Sequence, residues 1–518
     1  MMTMSRADRL AALLSLLAVL AAYLVADSVF ERIPHLEDEV AYAWQARLMT
    51  TGQVVIESPP APKSFLVPFV VDYQGRRFGK YPLGWPAALA VGDFFGKRDW
   101  VNPLLAGLAV WLIYRLGKKL FGEIVGLFAA LLTLTSPFFL MNAGSLLSHV
   151  WGLALTLAFS LAWLDAFVPH YHPEATLRWR WFYSLAAAAL MGMLALSRPL
   201  TAVAVALPFA IHGLILLVRG NWEVRLRLLS FGLLAGAVTA LHFAWQYAAT
   251  GDPWLNLYTL WWEYDKVGFG PGFGVRESGH SLKQAWINTR FSLRVGSIDL
   301  FGWLRYSWIF LPFGLWALVR RQRRNGSAWL AVGIIFSLVL IYLAYWVGSW
   351  LFGPRYYLEG LLSLTLLTAL GAAYLAGLPL ASGETYQPWQ GWGRLRRLGV
   401  TGLLFFLIGM NLVFFLPGRL NMMSGLYTIN RARVEPFQTA AAQALTPALV
   451  VVHAERWMPY GALLELQDPQ MTTPFIFAYS RGYDQDHALA DYFPERQLLH
   501  YYVDEPGQFY NEPKPDSP

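Results

Sequence analysis

Apolar residues fall along this chain in long blocks rather than in strand-like alternation. The first blocks span 10–30, 104–113, 124–140 and 151–168, and most approach the roughly 20 residues that cross bilayer hydrocarbon as a helix. Backbone groups cannot go unpaired in lipid, so each block predicts a helix. Short basic clusters punctuate the blocks: Arg6 and Arg9; Arg115, Lys118 and Lys119; Arg178 and Arg180; Arg219, Arg225 and Arg227; Arg320, Arg321, Arg323 and Arg324; Arg394, Arg396 and Arg397. Each cluster lies two blocks beyond the last, the parity required if all of them face the cytoplasm. The pattern predicts an all-α polytopic membrane protein of about eleven spans, with its N-terminus inside and its C-terminus outside. The first block follows Arg6 and Arg9 as a signal sequence would. It is long enough to span, and no small-residue cleavage site follows, so it reads as an uncleaved first helix.

This topology leaves three segments outside: about 31–99, about 250–300, and a tail from 418 to 518. The tail holds strand-like runs at 448–452, 474–478 and 497–503, which predict a small α/β domain. The expected division is a transmembrane domain over 1–417 and a soluble extracytoplasmic domain over 418–518. In the first outer loop, LEDEVAYAWQARLMTTG (36–52) predicts an amphipathic helix on the membrane surface. Asp38, Tyr42 and Gln45 would share one face of it, and Val40, Trp44 and Leu48 the other.

Composition supports the membrane reading. Only 14% of the 518 residues are charged, against about 25% in ordinary soluble domains. The net charge of +7 is spread among the loops rather than gathered on one soluble unit, which argues against a nucleic-acid reader. The chain has no cysteine, so disulfides and thiolate metal sites are excluded, and a bacterial plasma membrane is compatible.

Candidate chemistry clusters on the outer side. Asp38 and Glu39 stand at the start of the first-loop helix, where the helix dipole favours a carboxylate and where plain capping is the ordinary role. FGKYPLGWP (78–86) sets Lys80 and Tyr81 among helix breakers at the membrane surface; an interfacial aromatic belt with a snorkelling lysine would look the same. Arg198, in LSRPL (196–200), falls at an outer helix end, a costly place for an idle charge. GPRYY (353–357) supplies Arg355 and Tyr356, and SLLSHVWG supplies His149, which suits a sugar hydroxyl, a metal, or simply a satisfied interfacial site. The second outer loop, WWEYDKVGFGPGFG (261–274), brings Asp265 and then His280. Its glycines lack the strand–helix setting of a dinucleotide loop, and a mobile cover over an acceptor site is the better expectation. Asp484 and Asp486 form a DxD pair, which a turn or helix cap explains better than a nucleotide–metal site.

The acidic pair after the first span, the Y…QA…G segment behind it and the later YPxGxP pattern resemble the GT-C glycosyltransferases. The likeness is to the dolichyl-phosphate-mannose protein mannosyltransferases and to bacterial relatives such as the lipid A aminoarabinose transferases. LSRPL and GPRYY extend the resemblance over most of 38–359. It implies transfer of a sugar from a polyprenyl-phosphate donor to an acceptor hydroxyl outside the membrane, usually with inversion. Asp38 matches the catalytic aspartate and would act as base, with Glu39 orienting the first loop. Arg198, Arg355, Tyr356 and Lys80 are then the donor-phosphate candidates, and Tyr81, His149, Asp265 and His280 further substrate contacts. His149 departs from the pattern, since several relatives carry a second carboxylate nearby. A divalent metal is compatible with the resemblance but not required by it, and the metal ligands stay unassigned. The acceptor would be a lipid, a glycan or a protein. Three other readings remain: a transporter or lipid flippase, a ligase or polymerase using lipid-linked oligosaccharide, and a non-catalytic scaffold.

Overall fold

The computed structural model describes residues 4–321, with the side chain of residue 321 excepted, together with 326–380 and 393–514. Arg323 and Arg324 of the fifth basic cluster lie outside the described residues.

The chain opens with α1 (Arg6–Ser28), fixed at its start by a capping box: Ser5 Oγ accepts from Asp8 N and Asp8 Oδ2 from Ser5 N, both at 3.1 Å. The first outer loop follows as α2 (Glu37–Thr50), strands β1 (Ile56–Glu57), β2 (Val70–Tyr73) and β3 (Arg76–Gly79), and α3 (Gly84–Phe94). The bundle continues with α4 (Val101–Phe121), α5 (Glu123–Leu134) and α6 (Pro137–Gly144). After these come α7 (His149–Phe167), α8 (Leu177–Ser197), α9 (Pro199–Arg219) and α10 (Trp222–Thr250). Beyond the second outer loop come α11 (Leu282–Asp299), α12 (Leu311–Arg321), α13 (Ala328–Tyr342), α14 (Leu361–Ala376) and α15 (Gly393–Met410), the last running on to Asn421.

Seven of the described helices are long and apolar enough to cross a membrane. An eighth crossing arises if α5 and α6, bent by 59°, count as one span. Pro137 accounts for the bend, because it has no N–H to continue α5 and takes the first position of α6, with Ser136 as cap. Burial sorts the helices: the span ending in α14 is 89% buried in its apolar window, while that of α10 is 6% buried. A helix apolar all round belongs at the centre, and one whose leucines face outward belongs against lipid.

The tail forms a parallel sheet of β4 (Ala448–His453), β5 (Phe475–Tyr479) and β6 (Gln497–Tyr502) in the order β5-β4-β6. The strand-like runs expected there are these strands. Their near-continuous apolar sequence suits a parallel sheet covered on both faces. One face packs on Phe437, Tyr460 and, from the first loop, Val40, Trp44 and Leu48 of α2; the other packs on Phe65 and Leu489.

That packing corrects the expectation for the first loop. The helix α2 is not amphipathic and does not float on lipid. Val40, Trp44 and Leu48 face the C-terminal sheet, while Ala41, Tyr42 and Ala46 face the bundle beside Phe30, Trp85 and Met141. A helix clamped between two protein bodies needs apolar groups on both sides, so the two faces read as one polar and one apolar only when the second body is left out. The antiparallel sheet β1-β3-β2 in the same loop was also not foreseen. Glu465 ties the assembly together: it accepts from Arg47 at 2.5 Å and from Arg98 at 2.7 and 2.9 Å.

Candidate active site

A cavity of about 460 Å³ opens where the start of α2, the β3–α3 turn, the α6–α7 turn, the α8–α9 corner, the second outer loop and the 353–357 segment converge. Asp38, Lys80, Tyr81, His149, Arg198, Asp265, Arg355 and Tyr356 all line it. Glu39 and His280 do not.

Asp38 reaches the cavity because its neighbour is anchored. Glu39, 2% exposed, points away from the cavity. Its Oε2 accepts from His35 N at 2.9 Å and Leu36 N at 3.1 Å, and its Oε1 from Leu146 N at 2.6 Å. It therefore caps α2 and pins it to the α6–α7 turn. Burial pushes the Glu39 pKa up, opposed by His35 and these amides. With α2 so fixed, Asp38 Oδ2 receives Arg355 Nη2 at 3.1 Å and Oδ1 receives the Tyr81 hydroxyl. Glu37, absent from the sequence-based candidates, shares the wall. Burial raises its pKa, and the adjacent Asp38 raises it further.

Lys80 is held in a box of rings. Its Nζ lies 3.6 Å from the Phe69 ring centre, 4.8 Å from Trp262 and 5.1 Å from Tyr258. Its ion pair is with Asp265, at 3.3 Å. Asp265 also accepts from Trp346 Nε1 at 3.2 Å and the Tyr345 hydroxyl at 3.3 Å. Burial pulls the Lys80 pKa down, and Asp265 opposes the shift. The motif around Lys80 needs its second glycine: a Cβ on Gly84 would sit 2.2 Å from Ser197 Oγ, beside Arg198.

Arg198 occupies the corner between α8 and α9. Its Nη1 donates to Ser148 Oγ at 3.0 Å and its Nε to Thr201 Oγ1 at 3.3 Å. Nε also lies 3.0 Å from Oε1 of Glu359, a fully buried carboxylate. Room for Glu359 comes from Gly152 of α7, where a Cβ would come within 2.2 Å of Glu359 Oε1. Glu359 was missed at the sequence level, although an acid heading an apolar run is itself a signal. His149 is buried against the cavity with no hydrogen-bond partner for its Nδ1 among the described residues, and its ring centre stands 6.2 Å from that of Tyr356.

His280 has another task. Its Nε2 meets the Leu343 carbonyl at 2.9 Å and its ring stacks on Phe269, so it braces the second outer loop from behind. Asp486 likewise holds a loop, accepting from Ser480 Oγ at 2.5 Å and Arg481 N at 2.8 Å. Among the described residues no group of three or more His, Cys, Asp or Glu could hold a metal ion. Both oxygens of Asp38 are engaged by Tyr81 and Arg355.

Two solved structures of ArnT, the lipid A aminoarabinose transferase, from Cupriavidus metallidurans match this chain over nearly its whole length. The one bound to undecaprenyl phosphate is 16% identical, covers 96% of this chain and 91% of its own, and gives a TM-score of 0.56. The apo structure is 14% identical, covers 94% and 92%, and gives 0.54. The chain has the fold of these two ArnT structures. No family model matches the sequence, and no curated protein does. The mostly helical, membrane-spanning architecture expected from the sequence is found, with seven or eight candidate crossings among the described residues against the eleven expected. Within this fold the cavity offers one carboxylate held by a tyrosine and an arginine, and two further cations each paired to an acid. Such a set can bind a phosphate ester and take up a proton beside it.

Proposed function

We propose that the chain is an integral-membrane glycosyltransferase that moves a monosaccharide from a polyprenyl-phosphate donor to an acceptor hydroxyl on the extracytoplasmic side, with inversion. The observation carrying this reading is that Asp38, Lys80, Arg198 and Arg355, drawn from sequence positions over 300 residues apart, share one cavity. The undecaprenyl phosphate held by ArnT, on the same fold, supports a lipid-phosphate donor. So does the cavity wall at Pro199 and Leu200 of α9 and His242 of α10, helices whose exposed leucines and valines include Leu241 and Val203. A polyprenyl tail would leave the cavity between these helices into lipid.

In this mechanism the acceptor oxygen attacks the anomeric carbon from the side opposite the phosphate. The anomeric C–O bond breaks, its electron pair leaves with the polyprenyl phosphate, and Asp38 takes the acceptor proton. Arg355, Arg198 and Lys80 would stabilise the departing phosphate, the guanidinium forks suiting two oxygens at once. Each cation is pre-held by an acid, so a phosphate entering beside Arg355 would draw it from Asp38 and free the carboxylate. Tyr81 and Tyr356 would orient the groups in flight, and His149 Nδ1 suits a sugar hydroxyl. Asp265 and Glu39 position other groups rather than touch substrate.

The proposed topology has eleven spans, with α12 and α13 as two of the shorter ones. The N-terminus is cytoplasmic, in a bacterial inner membrane, with 1–417 as the transmembrane domain and 418–518 as the outer domain. The decisive experiment compares glycolipids, envelope polymers and glycoproteins by mass spectrometry in a deletion strain, complemented with wild-type or Asp38→Asn chain. One species should lose a single hexose or pentose and regain it only with the wild type. Unchanged glycans in the deletion strain would end the proposal.

A further inference from the structure

A second concavity, of about 420 Å³, lies away from the active-site cavity and is lined by Trp286, Arg290, Leu293, Arg294, Arg305 and Trp308. Its floor is one face of α11, where positions 286, 290 and 294 recur at intervals of four and so stack in line. Arg305 comes from the turn beyond α11 and closes the far side.

Three features set this groove apart. First, Arg290, Arg294 and Arg305 are all exposed, and none has an ion-pair or hydrogen-bond partner for its guanidinium among the described residues. Nearby, by contrast, Arg419 is matched with Asp299 at 3.1 Å. Second, the elements that build the groove and the helix after them expose large apolar side chains: Phe291 on α11, Leu304 and Ile309 in the following turn, and Phe313 and Trp316 on α12. Such side chains on a membrane protein face acyl chains, which sets the three guanidiniums at headgroup depth beside two tryptophans, the residues that favour that depth. Third, under the topology proposed above this is the outer surface, where unpaired arginine is disfavoured by the charge rule that orients the rest of the chain. Three such residues in one groove call for an anionic occupant.

We infer that this groove binds the phosphate headgroup of an anionic membrane lipid, the guanidiniums gripping phosphate oxygens and the apolar side chains receiving the acyl chains. The opposite face of α11 bears on the active site: Asn288 Nδ2 donates to the Trp346 carbonyl at 2.8 Å and Ser292 Oγ to the Ser349 carbonyl at 3.2 Å. A lipid in the groove would thus steady the segment that carries Trp346 and leads to Arg355.

The sidedness rests on the proposed function, but the binding does not, so it is measured on the inactive Asp38→Asn chain as well as on wild type. Full-length protein is taken by native mass spectrometry with phosphatidylglycerol or with phosphatidylcholine of the same acyl chains. Phosphatidylglycerol should be retained in preference, equally by wild type and Asp38→Asn. The R290Q/R294Q/R305Q chain should lose that preference by about tenfold, while R290K/R294K/R305K, which keeps the charges, should keep it. Single R305Q, on the surface turn, should weaken it in part and guards against misfolding of the triple variant. Equal retention of the two lipids by wild type, or an unchanged preference in both glutamine variants, would overturn the inference. So would displacement of the bound lipid by inorganic phosphate alone, which would mark a general anion site.

Discussion

The two ends of the helical bundle both carry ion pairs, and they treat them in opposite ways. At the cavity end two pairs are buried, with side-chain exposures of 2% and 3% for Lys80 and Asp265 and of 9% and 0% for Arg198 and Glu359, while Arg355 and Asp38 are 18% and 21% exposed. At the other end, Lys118 bridges Asp8 and Glu123 with exposures between 21% and 46%. Exposed pairs contribute little to stability, about 0–1 kcal/mol. Buried pairs often contribute no more than well-packed apolar groups would, because desolvation offsets the attraction. The buried set is therefore poorly explained by stability, and its gathering round one open cavity gives the reason that stability does not.

The sharpest way to break this comparison is at the carboxylate itself. Asp38→Asn should keep the contact with Tyr81 yet remove the base, lowering the transfer rate by about 10²–10⁴-fold with unchanged folding. Steady-state transfer assays beside thermal melts in detergent would decide it. Near-normal turnover would return Asp38 to a mere helix cap.

Next in size is the Arg198–Glu359 pair. Arg198→Gln strands a fully buried acid, so a loss of about 3–5 kcal/mol in stability is expected. The double variant Arg198→Gln/Glu359→Gln should recover most of that stability while transfer stays lost, since the phosphate contact is still missing. Recovery of activity along with stability would show Arg198 to be structural only.

The route to these residues from the sequence was uneven, for physical reasons. Asp38, Arg198 and Arg355 were legible because the topology put charged residues at helix ends on one side, where idle charges are expensive. The tail strands were legible because runs such as ALVVV need a sheet covered twice. Glu359 escaped notice although it stands in an apolar stretch, because its partner is more than 150 residues away and only the fold brings the two together. Glu39 looked like one of a catalytic pair, yet its carboxylate is taken up by the amides of His35, Leu36 and Leu146, while Glu37 and Asp38 line the cavity. The surroundings of α2 were hidden for a related reason. Helical periodicity reports which positions are apolar, but not that two different bodies bury them.

A finer test uses the proton on Lys80. Its folded pKa is lowered by burial, so its charge is complete well below that depressed value and is lost as pH rises through it. Donor affinity should then fall on the alkaline side earlier than for an ordinary lysine. In Lys80→Arg the charge persists, so the alkaline limb of kcat/KM should move to higher pH even if the rate at neutral pH is lower. Superimposable limbs in the two proteins would remove Lys80 from phosphate binding and leave it as a packing residue in its aromatic box.

The smallest expected effect comes from the opposite end of the bundle, and it completes the contrast. Lys118 Nζ lies 2.8 Å from Asp8 and 2.9 Å from Glu123, shorter than the ion pairs of the cavity. If distance alone measured importance, Lys118→Gln would be as damaging as Arg198→Gln. Solvent reaches this cluster, however, and water replaces what the lysine gave. The variant should melt within about 1 kcal/mol of wild type and transfer sugar at an unchanged rate. Its remaining effect should be on insertion, where, under the proposed topology, one positive charge fewer at a cytoplasmic loop weakens the orientation signal, visible as a small loss of correctly oriented protein in accessibility labelling. A loss of catalytic rate in the correctly inserted fraction would mean that the two ends are coupled through the bundle, and that burial is not what separates the working pairs from the idle ones.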